Sequence, residues 1–215
     1  LFLGAATSLP GITTSVVTAW EGAPNLALGN AIGGMAAQTV FLIVADFCYR
    51  KANLEHAAAS VPNLINAALL IALLGAILMA VEAPEVSFLG IHPVTPLLFL
   101  GYVFGLKLSQ NSYSEPRWKP QITTETVSDI VGQSDETESQ RRQSIEALWL
   151  LFAFFALVTA LSGWVIARSG LTIVRETGLS GTFVGAFVTA IGTSTPELIV
   201  TIAAVRRGAL TLAVS

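Results

Sequence analysis

The apolar residues of this chain are gathered into runs of roughly 20, the length a helix needs to span a hydrocarbon core. Candidate spans fall at about 1–20, 26–46, 62–82, 88–108, 147–168 and 180–204, with a seventh beginning near 209. Only 12% of the 215 residues are charged and 53% are hydrophobic, whereas soluble domains carry about 25% charged residues. Mean hydropathy is +0.69. The pattern predicts an all-α, polytopic transmembrane helical bundle embedded in a lipid bilayer. The single cysteine, Cys48, excludes an internal disulfide framework. A net charge of −3 points to no particular partner, and no nucleic acid is expected. The opening "LFLGAATSLP" has no initiator Met and no basic stretch before an apolar core, so it does not read as a signal peptide. The closing "RRGALTLAVS" enters another apolar run, and both ends read as lying inside membrane spans of a fragment.

The segment "SQNSYSEPRWKPQITTETVSDIVGQSDETESQRRQ" divides the chain into two transmembrane halves, 1–109 and 147–215, around a loop at 110–146. It is polar, rich in Ser, Thr and acids, and without apolar periodicity, which predicts a solvated, disordered linker. An acidic loop can hold regulatory calcium, but this one lacks the glycine-pivoted EF-hand pattern. Basic residues set the orientation. Arg50 and Lys51 follow span 2; Lys107, Arg117, Lys119, Arg141 and Arg142 flank or occupy the long loop; Arg206 and Arg207 follow span 6. The opposite side has only Arg168 and Arg175, so the positive-inside bias places the long loop in the cytoplasm.

The chain contains an internal repeat, which bears on everything that follows. With Pro10 set on Pro196, an offset of 186, "TSLPGITTSVVTAWEGAPNLAL" (7–28) lies over "TSTPELIVTIAAVRRGALTLAV" (193–214). Thr7/Thr193, Ser8/Ser194, Pro10/Pro196, Gly22/Gly208, Ala23/Ala209, Leu26/Leu212 and Ala27/Ala213 coincide without a gap. The copies open spans 1 and 6, five crossings apart, and so enter the membrane from opposite sides. Two inverted-topology repeats with interrupted helices characterise secondary transporters, whose ion sites lie near the midplane.

Within "AIGTSTPELIVTIAA" (190–204), proline removes a backbone hydrogen bond. The freed carbonyl must then face protein, a watery cavity or a bound cation. Thr193 and Ser194 add hydroxyl oxygens one turn earlier, and Glu197 adds charge. Positions i, i+1 and i+4 share one side of a helix. Such hard oxygens suit sodium or calcium rather than zinc or copper. A plain proline kink accounts for Thr193, Ser194 and Pro196 but not for Glu197, since an uncompensated acid at the bilayer centre costs at least ~2.5 kcal/mol.

These residues resemble the membrane region of the sodium/calcium exchangers, in the cation/calcium antiporter superfamily. "GTSTPELIVTIAAVRRGALTLAV" is similar to that family's second alpha-repeat. "GAATSLPGITTSVVTAWEGAPNLALGNAIGGMAAQT" is similar to the first, in a divergent form. The likeness covers roughly residues 1–46 and 147–215. It implies that Thr193, Ser194, Glu197, Thr7 and Ser8 bind ions, with Glu197, Thr193 and Thr7 as metal ligands and Gly4 and Ala190 donating backbone carbonyls. Gln38 falls on an asparagine position and keeps a carbonyl oxygen. Two departures stand out. Gly11 replaces the first repeat's glutamate, and Gly34 replaces a serine.

Other residues receive plainer readings. Asp46 and Glu82 lie at span ends. Asn30 and Asn66 suit bonds between helices, Gly33, Gly34, Gly181 and Gly185 suit close helix packing, and Trp118, Trp149 and Trp164 suit interfacial anchoring. His56 and His92 lack zinc spacing. The resemblance implies secondary active antiport of a cation, calcium among the candidates, against sodium or protons by alternating access. No cofactor is expected beyond the transported ions. Three alternatives stay open: a transport-dead homologue serving as a membrane scaffold, a proton-coupled monovalent cation exchanger that uses Glu197 as the proton carrier, and an intramembrane enzyme. The last is disfavoured because the spans show neither a zincin pattern nor paired aspartates.

Overall fold

Positive φ at two glycines, Gly22 (78°) and Gly178 (71°), ends two of the helices and turns the chain back towards the membrane. The computed structural model describes residues 2–49, 61–82, 91–114, 145–207 and 213. These residues form helices α1 (Phe2–Trp20), α2 (Pro24–Tyr49), α3 (Val61–Val81), α4 (Val94–Ser114), α5 (Ile145–Thr177) and α6 (Gly181–Arg206). Within α6, Val184–Thr189 is wound as a π-helix, and the Ala190 N–H donates to the Gly185 carbonyl five residues back. Four helices, α2, α3, α5 and α6, are long and apolar enough to cross a membrane by length and composition. α1 carries Thr7, Ser8, Thr13, Thr14, Ser15 and Thr18, and part of that polarity is turned inward, Thr14 and Thr18 being buried. Large apolar side chains cover the outer faces: Ile71, Met79 and Leu150 are 71%, 72% and 72% exposed, as suits contact with lipid. The chain is a multi-pass helical membrane bundle.

Two sequence boundaries are corrected. Span 4 was expected at 88–108, but α4 starts at Val94 and runs to Ser114, into the segment read as loop. His92 fixes that start: its Nδ1 accepts from the Val94 N–H at 3.2 Å and its carbonyl from the Thr95 N–H at 2.9 Å. Pro96 follows in the first turn, where a missing N–H costs nothing. Span 5 was ended at Arg168, yet α5 continues to Thr177. Arg168 does not stop the helix because its guanidinium lies 2.9 Å from Glu21 Oε1 and over the Trp164 ring, 5.7 Å from the centroid. Trp118, His56 and most of the anticipated loop and seventh span lie outside the described residues.

The helices fall into two compact units, α1, α2, α5 and α6 in one and α3 with α4 in the other. In the second unit, Gly101 and Gly105 of α4 lie against Leu73 and Leu69 of α3, so the two helices run antiparallel. The first unit is held by small residues. A Cβ on Gly29 would stand 2.6 Å from the Thr182 carbonyl oxygen, and one on Gly33 would stand 2.5 Å from Ala186 Cα. Gly185 in turn lies against the Leu26 carbonyl, and a Cβ there would come 2.8 Å from the Asn30 nitrogen. This is the G-x-x-x-G contact that lets membrane helices approach backbone to backbone, here seated on the π-helical turn. On α5, a Cβ on Gly163 would meet the Pro10 oxygen at 2.5 Å.

Gly33→Ala should therefore force α2 off α6 and destabilise the protein by about 1–3 kcal/mol. Gly75→Ala in α3, where a Cβ would meet nothing within 4 Å, should be neutral or stabilise by about 0.5–1 kcal/mol. Thermal unfolding of both variants in detergent checks the contrast.

Candidate functional site

Helices α1 and α6 cross where their prolines stand. Ser8 Oγ donates to Glu197 Oε1 at 3.4 Å. One turn on, a Cβ on Gly11 would lie 3.9 Å from Thr193 Oγ1. Moving from 8 to 11 on one helix thus moves from 197 back to 193 on the other, so the two copies of the repeat run antiparallel, as an inverted pair should. Each proline leaves the carbonyl four residues earlier without its helical N–H. For Pro10 that is the Ala6 carbonyl, and the Thr159 hydroxyl of α5 approaches it at 3.4 Å.

Glu197 is partly buried. Its Oε1 receives the Ser8 hydroxyl. Its Oε2 is shielded from solvent and has no hydrogen-bond partner among the described residues. Buried carboxylate oxygens are normally satisfied, and an unmatched charge in the membrane is expensive. Chemically, Oε2 is an acceptor aimed into the protein, ready for a cation or a proton.

Beside this crossing, Asn30 of α2 ties three helices together. It is 3% exposed. Its Nδ2 donates to the Gly11 carbonyl at 3.3 Å and to Ser15 Oγ at 3.1 Å, both on α1. Its Oδ1 accepts from Thr189 Oγ1 at 2.8 Å and Thr193 Oγ1 at 3.3 Å, both on α6. Two donors and two acceptor positions are all that an amide side chain offers, so Asn30 is fully used, and the carbonyl of Gly11 fixes which way round the amide sits.

The predicted residues separate into two groups. Ser8 and Glu197 are joined directly, and Thr193 and Ser194 are buried on α6 beside them. Ser194 faces Gly34 of α2, whose Cβ would stand 3.5 Å from Ser194 Oγ. The paired threonines behave alike: Thr7 Oγ1 donates to the Gly4 carbonyl at 3.0 Å and Thr193 Oγ1 approaches the Ala190 carbonyl at 3.2 Å. The Gly4 carbonyl thus accepts from Thr7, while the Ala190 carbonyl shares the single Thr193 proton with Asn30 Oδ1. Thr7 is not joined to Glu197, Gly4 is exposed, and Ala190 is fully buried. Gln38 lies one turn beyond Gly34 and is exposed.

Asn30 was expected to bond neighbouring helices, and it does. Thr189 was not singled out, although Thr189, Thr193 and Glu197 recur every fourth residue, a polar stripe along an otherwise apolar helix that was legible in the sequence.

Asn30→Leu should remove the hydrogen bonds that tie Gly11 and Ser15 of α1 to Thr189 and Thr193 of α6, at about 0.5–1.5 kcal/mol for each bond lost, while the threonine hydroxyls fall back on the Gly185 and Ala190 carbonyls of their own helix. The expected result is a large loss of thermal stability in detergent, only partly recovered in Asn30→Asp, which keeps the acceptor but loses both donors.

The family profile described as sodium/calcium exchanger protein matches residues 1–106 and 146–215, the helical segments on either side of the polar loop. Neither curated proteins nor solved structures match the chain. Both helices run unbroken through their prolines rather than being interrupted as the sequence suggested; with these antiparallel helices meeting at a partly buried carboxylate and the profile covering most of its length, the chain belongs to the sodium/calcium exchanger family.

Proposed function

We propose that this protein is a secondary active cation antiporter that binds its ion at the crossing of α1 and α6 and exchanges it across the membrane by alternating access. The observation that carries this reading is Glu197 Oε2, a solvent-shielded carboxylate oxygen without a partner among the described residues. Glu197 supplies charge. Ser8, Thr193 and Ser194 supply neutral oxygens around it, and the carbonyls of Gly4 and Ala190 become available when the threonine hydroxyls that now bond them turn to the ion. A binding site shared by two inverted helices can open to either side as one moves against the other. The π-helical turn at Val184–Thr189, next to the site, supports such movement, since π-bulges cluster at functional positions.

In proteoliposomes with an imposed sodium or proton gradient, Glu197→Gln should abolish counter-transport while the protein stays folded. Ser8→Ala should weaken apparent ion affinity by roughly tenfold, the effect of one hydrogen bond to a charged group. Unchanged flux in Glu197→Gln would exclude the reading.

A further inference from the structure

A hydroxyl binds a cation through its lone pairs, so its proton has to be directed at some other acceptor. Where α1 and α6 cross, this requirement falls on Thr193. It is 3% exposed, and its Oγ1 looks towards α1, 3.9 Å from where a Cβ on Gly11 would stand. The Thr193 hydroxyl has one proton and two acceptors within reach, the Ala190 carbonyl at 3.2 Å and Asn30 Oδ1 at 3.3 Å. The distances are nearly equal, but the consequences differ. With the proton on Ala190, that carbonyl is occupied along with the hydroxyl. With the proton on Asn30, the hydroxyl lone pairs and the Ala190 carbonyl are both free to meet an ion.

The neighbouring bonds equip Asn30 to hold that proton. Its Oδ1 accepts from Thr189 Oγ1 at 2.8 Å and has a second lone pair for Thr193. Its Nδ2 donates to the Gly11 carbonyl at 3.3 Å and to Ser15 Oγ at 3.1 Å. A carbonyl only accepts, so turning the amide end for end would set the Gly11 oxygen against Asn30 Oδ1. Helix α1 thereby keeps the Asn30 acceptor directed at α6. With both donors and both acceptor positions engaged by protein groups, Asn30 acts on an ion through Thr193 rather than by touching it.

We propose that Asn30 is a positioning residue for the cation: its Oδ1 takes the Thr193 proton as the ion arrives, which turns the Thr193 hydroxyl and the Ala190 carbonyl into ligands together. This rests on the ion site described under the proposed function and adds how its neutral oxygens are brought into use. Without the amide, the Thr193 proton falls back on Ala190, and two oxygens are withdrawn from the ion at once. Losing a partner that orients a ligand from behind typically weakens metal binding by roughly 10–100-fold.

A double-variant cycle on the purified protein in detergent tests it, read as thermal stabilisation by sodium chloride and, separately, by calcium chloride, with ionic strength held constant by choline chloride. Asn30→Ala and Thr193→Val should each raise the half-stabilising ion concentration by about tenfold or more. The double variant should bind no more weakly than Thr193→Val alone, because Asn30 works through that hydroxyl. Thr193→Ser, which keeps the hydroxyl, should restore both the affinity and its sensitivity to Asn30→Ala. The ion-free melting temperature should fall with Asn30→Ala in either background, since the bonds to Gly11 and Ser15 are lost in both. That fall separates the structural contribution of the amide from the positioning one. Should Asn30→Ala fail to fold, Ser15→Ala loosens the same amide and carries the same cycle, with a smaller loss of affinity that disappears in the Thr193→Val background. Equal losses with and without the Thr193 hydroxyl, or folded Asn30 and Ser15 variants that bind as tightly as the unmodified protein, would overturn the proposal and leave the site intact. Ion stabilisation that is absent, or that survives Glu197→Gln, would overturn the site and this proposal with it.

Discussion

A carboxylate placed inside a membrane helix has to be met by something, and Glu197 is met on one oxygen only. That half-satisfied acid is the constraint around which the four-helix unit is organised. Its side-chain partner among the described residues, Ser8, comes from the other copy of the repeat, 189 residues away. The charge is thus held at a junction between two elements rather than within one. Under the proposed reading, an ion at this junction would be held by both helices, so that occupancy is coupled to their relative position.

The rest of the unit holds the junction without crowding it. Gly29, Gly33 and Gly185 bring α2 against the π-helical turn of α6, and Gly163 brings α5 against Pro10 of α1. In lipid, where apolar side chains gain little by leaving one apolar medium for another, such backbone-to-backbone contacts and internal hydrogen bonds carry the association. Asn30 adds the hydrogen bonds, clasping α1 through the Gly11 carbonyl and α6 through Thr189 and Thr193. One amide thereby fixes the position of a site threonine relative to the helix opposite.

Much of this was legible in the sequence because a membrane leaves few choices. Apolar runs revealed the helices, and the shared T-S-x-P revealed the repeat and named Ser8 and Glu197 as candidates, though not the contact between them. Of the glycines that pack, Gly33 and Gly185 were readable as such, whereas Gly29 and Gly163 were not singled out. Hydropathy alone could not place the ends of α4 and α5, which are set by the His92 cap and by the neutralisation of Arg168 with Glu21. Nor could it separate Gly33 from Gly34. They are neighbours in sequence, yet one is pressed against backbone and the other faces the Ser194 hydroxyl. The four-residue spacing of Thr189, Thr193 and Glu197 was there to be read, but the partner of Thr189 is supplied only when α2 brings Asn30 within 2.8 Å.

We propose that a desolvated cation is held by Glu197 where α1 and α6 cross. Thallium, a heavy monovalent cation, locates such an ion by its anomalous scattering in crystals of the purified protein. The account predicts a peak coordinated by Glu197 Oε2 and flanked by Ser8 and Thr193. A difference map with no peak at this crossing, or a Glu197 side chain turned outward to lipid, would contradict it.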